Sequence, residues 1–151
     1  MTDPLIVGWA HTKFGKSEAP DTLAVNRDRP NAFTIQDWTR ALGLEDFSTP
    51  AAARRDGVVG FSCADEVCVA ATASGRVVAH VADEDRARGL CGRAALIVID
   101  DATAGNPCGA GTTVLTKRDL ARRGSAAVIF GGEGARVEFA VEEPYRPWHA
   151  H

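Results

Sequence analysis

At 151 residues the chain has the length of one globular domain and enough residues to bury its own core. With 45% hydrophobic and 25% charged residues the composition favours neither disorder nor a membrane-embedded protein, and no apolar run approaches the ~20 residues of a spanning helix. The net charge of -3 argues against a strong electrostatic hold on nucleic acid.

The stretch "LIVGWA" at 5–10 is a short apolar run of strand type that ends in the polar "HTKFGKSEAPD". A second run, "TLAVN" at 22–26, closes at a turn marked by Pro30 and Asn31. The next segment, "FTIQDWTRALGLEDF", predicts a helix with Thr34 as N-cap, Asp37 as its box partner, Gly43 at the end and Phe33 and Trp38 on the buried face. "STPAAARRDG" predicts another, with Ser48 or Thr49 capping, Pro50 at the first helical position and Gly57 beyond the end.

From Val58 the period changes to that of strands. "VVGFSC", "VCVAATA" and "GRVVAHVA", separated by the turns "ADEV" and "ASG", read as a three-stranded meander. "DEDRARGLCGR" follows with acids first and arginines last, the polarity that a helix dipole favours. It leads into "AALIVID", an apolar run of the kind buried on both faces. "GTTVLTKRDLARRGSAAVIF" reads as strand, helix capped by Thr116 with Asp119, glycine stop and strand. Helix alternating with apolar strand implies crossover connections and a sheet with parallel character. "FGGEGAR" is a hairpin turn, after which Val137, Phe139 and Val141 alternate with Arg136, Glu138 and Ala140 as an edge strand stopped by Pro144.

Four cysteines and four histidines raise the question of zinc. The spacing opposes it, because Cys63 and Cys68 stand wider than a zinc knuckle and Cys91 and Cys108 offer no second close pair. Neither pair is a Cys-x-x-Cys at a helix start, which argues against a thioredoxin-type role. A hairpin would bring Cys63 opposite Cys68 as a cross-strand disulfide, and Cys91 and Cys108 would be the second bridge. Two pairs of free buried thiols are the alternative. Asp100 and Asp101, at the end of the most buried strand, stand where α/β sheets place ligand-binding groups and are the candidate metal carboxylates. His80 reads as a packed or solvent-facing strand residue and His11 is isolated, while His149 and His151 lie in the tail. The basic groups Arg54/Arg55 and Lys117, Arg118, Arg122 and Arg123 read as solvated helix faces. No Gly-x-Ser-x-Gly, phosphate-binding loop or dinucleotide fingerprint occurs, so the residues alone supply no catalytic constellation.

Taken together, "LAVNRDRPNAFTIQDWTRALG", "GFSCADEVCVA", "GRVVAHVAD", "CGRAALIVIDD", "LTKRDLARRGSAAV" and "EEPYRPWHA" resemble the extreme C-terminus of the ComEC family of competence proteins, of the alphaproteobacterial type. That resemblance implies part of a metallo-β-lactamase-like fold attached to an inner-membrane channel for single-stranded DNA. In family members with an intact site this domain is thought to degrade the strand that is not transported. The metal-binding histidine motifs are missing from this stretch, so no nuclease role passes to any residue here. Separately, "LIVGWAHTKFGK" is similar to the opening strand and loop of thiolase-type acyltransferases, although none of the four cysteines sits in a thiolase nucleophile context.

The expectation is therefore an α/β fold, a mixed sheet with crossover helices and a cysteine-containing β-meander. Residues 1–22 form a separate N-terminal segment, residues 23–143 one domain and residues 144–151 a tail. The expected function is a non-catalytic accessory or remnant module of DNA uptake without cofactor, whose partners are single-stranded DNA or the channel part of the parent protein. A metal-dependent nuclease and an acyltransferase fragment are the enzymatic alternatives. The opening residues lack the pattern of a secretory signal, so the chain alone would stay in the cytoplasm, whereas as part of the parent protein it would face the periplasm. In the cytoplasm its thiols would be reduced.

Overall fold

The computed structural model describes residues 5–10, 22–26, 61–72, 75–131 and 134–141. Both helices expected between residues 33 and 57, Arg54 and Arg55, and His11, His149 and His151 lie outside them. Strands β1 (Leu5–Ala10), β2 (Thr22–Asn26), β8 (Ala126–Gly131) and β9 (Gly134–Phe139) form a four-stranded antiparallel sheet in the order β1-β2-β8-β9. Strands β3 (Ser62–Ala64), β4 (Val67–Ala71), β5 (Val77–Val81), β6 (Leu96–Ile99) and β7 (Thr113–Thr116) form a five-stranded mixed sheet in chain order. Its first three strands are the expected antiparallel meander, and β5, β6 and β7 run parallel. The structure thus has the expected mixed α/β character, with its strands divided between two sheets.

The two sheets pack face to face. Val25, Ala126, Val128 and Phe130 from one meet Cys68, Ala70, Val78, Leu96, Val98 and Leu115 from the other in a single apolar cluster. Strand alternation decides which side chains enter it. In β8 the residues Ala126, Val128 and Phe130 are buried and their neighbours half-buried. β9 alternates exposed with half-buried residues, as suits an edge strand.

β6 is buried along its whole length, because its opposite face carries a second cluster formed by Ala79, Val81, Ala87, Ala94, Ile97, Ile99 and Ala104. Helix α1 (Glu84–Arg88) lies on that face through Ala87. Asp83 caps α1 by accepting from the Arg86 amide, and the order of acids before arginines is the one the dipole favours. Helix α2 (Lys117–Arg123) starts at a complete capping box: the Thr116 hydroxyl accepts from the Asp119 amide while the Asp119 carboxylate accepts from the Thr116 amide. Gly124 ends α2 with φ +77, and a Cβ there would stand 3.1 Å from the Ala140 Cβ.

One connection differs from the expectation. The turn between β3 and β4 is tighter than the stretch "ADEV", since Ala64 already pairs with Val67 and only Asp65 and Glu66 lie outside the ladder. Both have positive φ, 48° and 62°, the geometry of a two-residue hairpin turn that usually selects glycine or asparagine. Arg86 holds the turn from α1: its Nε donates to the Asp65 carbonyl at 2.8 Å and its guanidinium pairs with the Glu66 carboxylate at 3.1 Å. The crossover from β6 to β7, residues 100–112, is a loop, in keeping with its glycines and Pro107. A parallel pair normally uses a helix to return the chain and cover the sheet; here Ala104 packs into the outer cluster and a disulfide ties the loop down. Among the described residues no helix is long and apolar enough to cross a membrane.

Candidate functional site

The register of the parallel strands aligns Val81 with Ile99 and Ile99 with Thr116. The residues that follow each strand therefore gather along one edge of the sheet: Asp83 and Glu84 after β5, Asp100 and Asp101 after β6, and Lys117 after β7. This is the carboxyl edge of a parallel sheet, where such folds tend to place ligand-binding groups.

Asp100 is anchored by its backbone, whose N–H donates to the Val81 carbonyl at 2.8 Å. Its carboxylate lies 3.2 Å from the Lys117 ammonium, and the two side chains retain only 26% and 22% of their exposure. At that degree of burial the pair is screened less than a surface ion pair, and removing either partner would leave a poorly solvated charge. Asp101 turns to its own loop, accepting from the Thr103 amide and hydroxyl, both at 2.7 Å. The hydroxyl bond, then the amide bond, and then the nearby Lys117 charge hold its carboxyl below the ordinary aspartate value against the opposing effect of desolvation. The two aspartates expected at this strand end are there, but each carboxylate has its own partner.

Glu84 completes the edge. Its Oε2 accepts from the Gly105 amide at 3.1 Å and its Oε1 from Arg88 at 2.8 Å. The Gly105 bond, followed by the Arg88 bond, holds the Glu84 carboxyl below its usual range, while desolvation and the Asp101 charge act the other way. Arg118 donates to the Ala104 carbonyl at 3.2 Å, so the β6 to β7 loop is stitched to both helices. Carboxylates held in the ionised form by such donors order a loop; they are poor proton donors near neutral pH.

Glu84 and Lys117 are the functional-edge residues that sequence reasoning missed. The sequence pattern places Lys117, Arg118 and Arg123 on a solvated basic face, but in the structure the Lys117 ammonium faces Asp100, Arg118 reaches Ala104 and the Arg123 guanidinium stacks 4.0 Å from the Phe139 ring centroid. The signal available was positional, since Lys117 directly follows a strand that runs parallel to the one preceding Asp100.

A pH titration tests the Glu84 arrangement. A depressed carboxyl contributes stability that is fully present above its unfolded value, near 4.5 for Glu84, and that is lost as pH falls through the lower folded value. The Gly105 amide resonance is expected to titrate with a midpoint below 4.5, and that transition is expected to vanish in Glu84→Gln. A midpoint at or above the ordinary glutamate value would contradict the hydrogen bond.

The cysteines lie on the two faces of the mixed sheet. Cys63 is bonded to Cys68 directly across the β3–β4 ladder, with 4.1 Å between Cα atoms, the short spacing of a non-hydrogen-bonded antiparallel pair. The row continues across the sheet through His80, Val98 and Leu115. His80 is 5% exposed and so packs within its strand. Cys91, just beyond α1, is bonded to Cys108 in the β6 to β7 loop, where Cys108 packs on the outer cluster. No cysteine is left free, and among the described residues no three of His, Cys, Asp and Glu gather as a set able to hold a metal ion.

No family model, no curated protein and no solved structure matches the chain.

Proposed function

We propose that this chain is a non-catalytic module of a DNA-uptake protein, similar to the C-terminal lactamase-like region of the ComEC competence family and facing the periplasm. The observation that carries this reading is the pair of disulfides, one on each face of the mixed sheet, because such bonds persist in oxidising compartments and are reduced in the cytosol. Two packed sheets with a helix on the outer face of one are in keeping with part of a metallo-β-lactamase-like fold. The strand-end carboxylates also suit a structural role, with Lys117 as the counter-charge of Asp100 and Thr103 as the donor to Asp101.

Single-stranded DNA and the channel part of the parent protein are the partners of this module. Purified protein is expected to bind no stoichiometric zinc or manganese and to leave single- and double-stranded DNA intact in the presence of divalent metals. Deleting this segment from the parent gene in a naturally competent cell is expected to lower transformation while leaving the channel inserted. Stoichiometric metal with DNA cleavage that disappears in Asp101→Ala would replace the proposal with a nuclease.

A further inference from the structure

The two disulfides are embedded very differently. Cys63 and Cys68 belong to paired strands, Cys68 is fully buried in the core between the sheets, and the β3–β4 ladder holds the two residues opposite each other independently of the bond. Cys91 and Cys108 lie in irregular segments on either side of β6, and both are partly exposed. Gly105 is still fixed by Glu84, and the Thr112 hydroxyl, donating to the Ala94 carbonyl and accepting from the Gly92 amide, fixes the far end of the loop. Between them, Asn106–Gly111 makes no hydrogen bond beyond itself among the described residues; its bond there runs from the Cys108 amide to the Asn106 side chain. The covalent tie of this segment to the fold is the Cys91–Cys108 bond.

We propose that Cys91–Cys108 is a redox latch, which a small dithiol reductant opens in the folded protein to free Asn106–Gly111 while Cys63–Cys68 stays closed. In the first step a thiolate of the dithiol attacks one of the two sulfurs, breaking the Cys91–Cys108 bond, forming a mixed disulfide and expelling the other cysteine as a thiolate. The second thiolate of the reductant then attacks the mixed disulfide and releases the remaining cysteine. Two electrons pass to the protein, the reductant ends as a cyclic disulfide, and solvent supplies the protons that the new thiolates take up.

Access and recapture both direct the reaction to this pair. An incoming thiolate needs a reachable sulfur: Cys91 and Cys108 are both half-buried, so either side of their bond is open to attack, whereas in the other pair only Cys63 is half-buried and Cys68 is fully buried. Once opened, Cys63 and Cys68 are still held face to face by their ladder, so their effective concentration favours reclosure. Cys108 has no such ladder to return it to Cys91.

The test titrates native protein with dithiothreitol, alkylates the free thiols and maps them by mass spectrometry, with 15N relaxation measured in parallel. Cys91 and Cys108 are expected to be labelled at least tenfold lower in reductant than Cys63 and Cys68. Heteronuclear NOE values of the Asn106–Gly111 amides are expected to fall on reduction while those of Leu96–Ile99 stay unchanged, and the Cys91→Ser/Cys108→Ser variant is expected to show the same loss without reductant. Joint labelling of all four cysteines, earlier labelling of Cys63 and Cys68, resistance of both pairs, or an unchanged NOE in the reduced segment would each overturn the proposal. If the double variant fails to fold, the wild-type titration decides alone.

Discussion

Replacing Phe130 with alanine is expected to lower the unfolding free energy by about 3–5 kcal/mol, the range for removing a buried aromatic ring. The ring is 2% exposed and stands among the apolar side chains between the two sheets. It is also a point of attachment, because the Arg76 guanidinium lies 5.7 Å from its centroid and donates to the Gly131 carbonyl at the tip of the same hairpin. Alanine would therefore leave a void in the shared core and remove the ring beneath the arginine that links the β4–β5 turn to the β8–β9 hairpin. Against a typical total stability of ~5–15 kcal/mol such a loss would bring the protein close to its unfolding threshold. Ile129→Ala, one residue along the same strand on the half-buried side, should cost clearly less. Urea unfolding of the two variants measures the contrast, and equal losses would mean that the sheets do not pack through the face assigned here.

Removing the Cys91–Cys108 bond by a double alanine substitution is expected to cost about 3 kcal/mol, because the cross-link restricts the unfolded chain over a sequence separation of 17 residues. The same chain-entropy relation gives about 2 kcal/mol for Cys63–Cys68, where the separation is 5. Cys68 is also fully buried, so its truncation adds a void to that loss and narrows the gap between the pairs. Cys91 and Cys108 are only half-buried, so there the packing loss is smaller and the entropic term dominates. Equilibrium unfolding of the oxidised parent and the variant measures it, and a loss below ~1 kcal/mol would show that the constraint on the unfolded chain is not its source.

Local chemistry made much of this fold readable from sequence. Thr116 and Asp119 announce α2 because a capping box involves only the residues of one turn. β6 is recognisable as a strand buried on both faces because "LIVI" contains no polar residue to turn outward. Cys63 and Cys68 could be read as a cross-strand pair because a hairpin turn fixes its own register. The division into two sheets was not readable in this way. The inward residues Ala126, Val128 and Phe130 would alternate identically whether β8 joined β7 or β2. The contact between Lys117 and Asp100 was hidden for the same reason, since it depends on the register of β6 against β7 rather than on either segment alone. Asp65 and Glu66 concealed a turn tighter than their residue types suggest, because the arginine that braces it comes from the later helix α1.

The pairing of β2 with β8 also orders events in time. Val25 and Ala126 are partners although about 100 residues separate them, while every neighbouring pair in the mixed sheet is joined by a short local connection. Closing so long a loop costs entropy before its contacts return any stabilisation, so the mixed sheet is the natural first product of folding. During synthesis β2 must then wait, unpaired along the edge it will give to β8, until β8 has emerged about 100 residues later. That interval is when an exposed strand edge invites pairing with another chain, and it closes only when β8 is made.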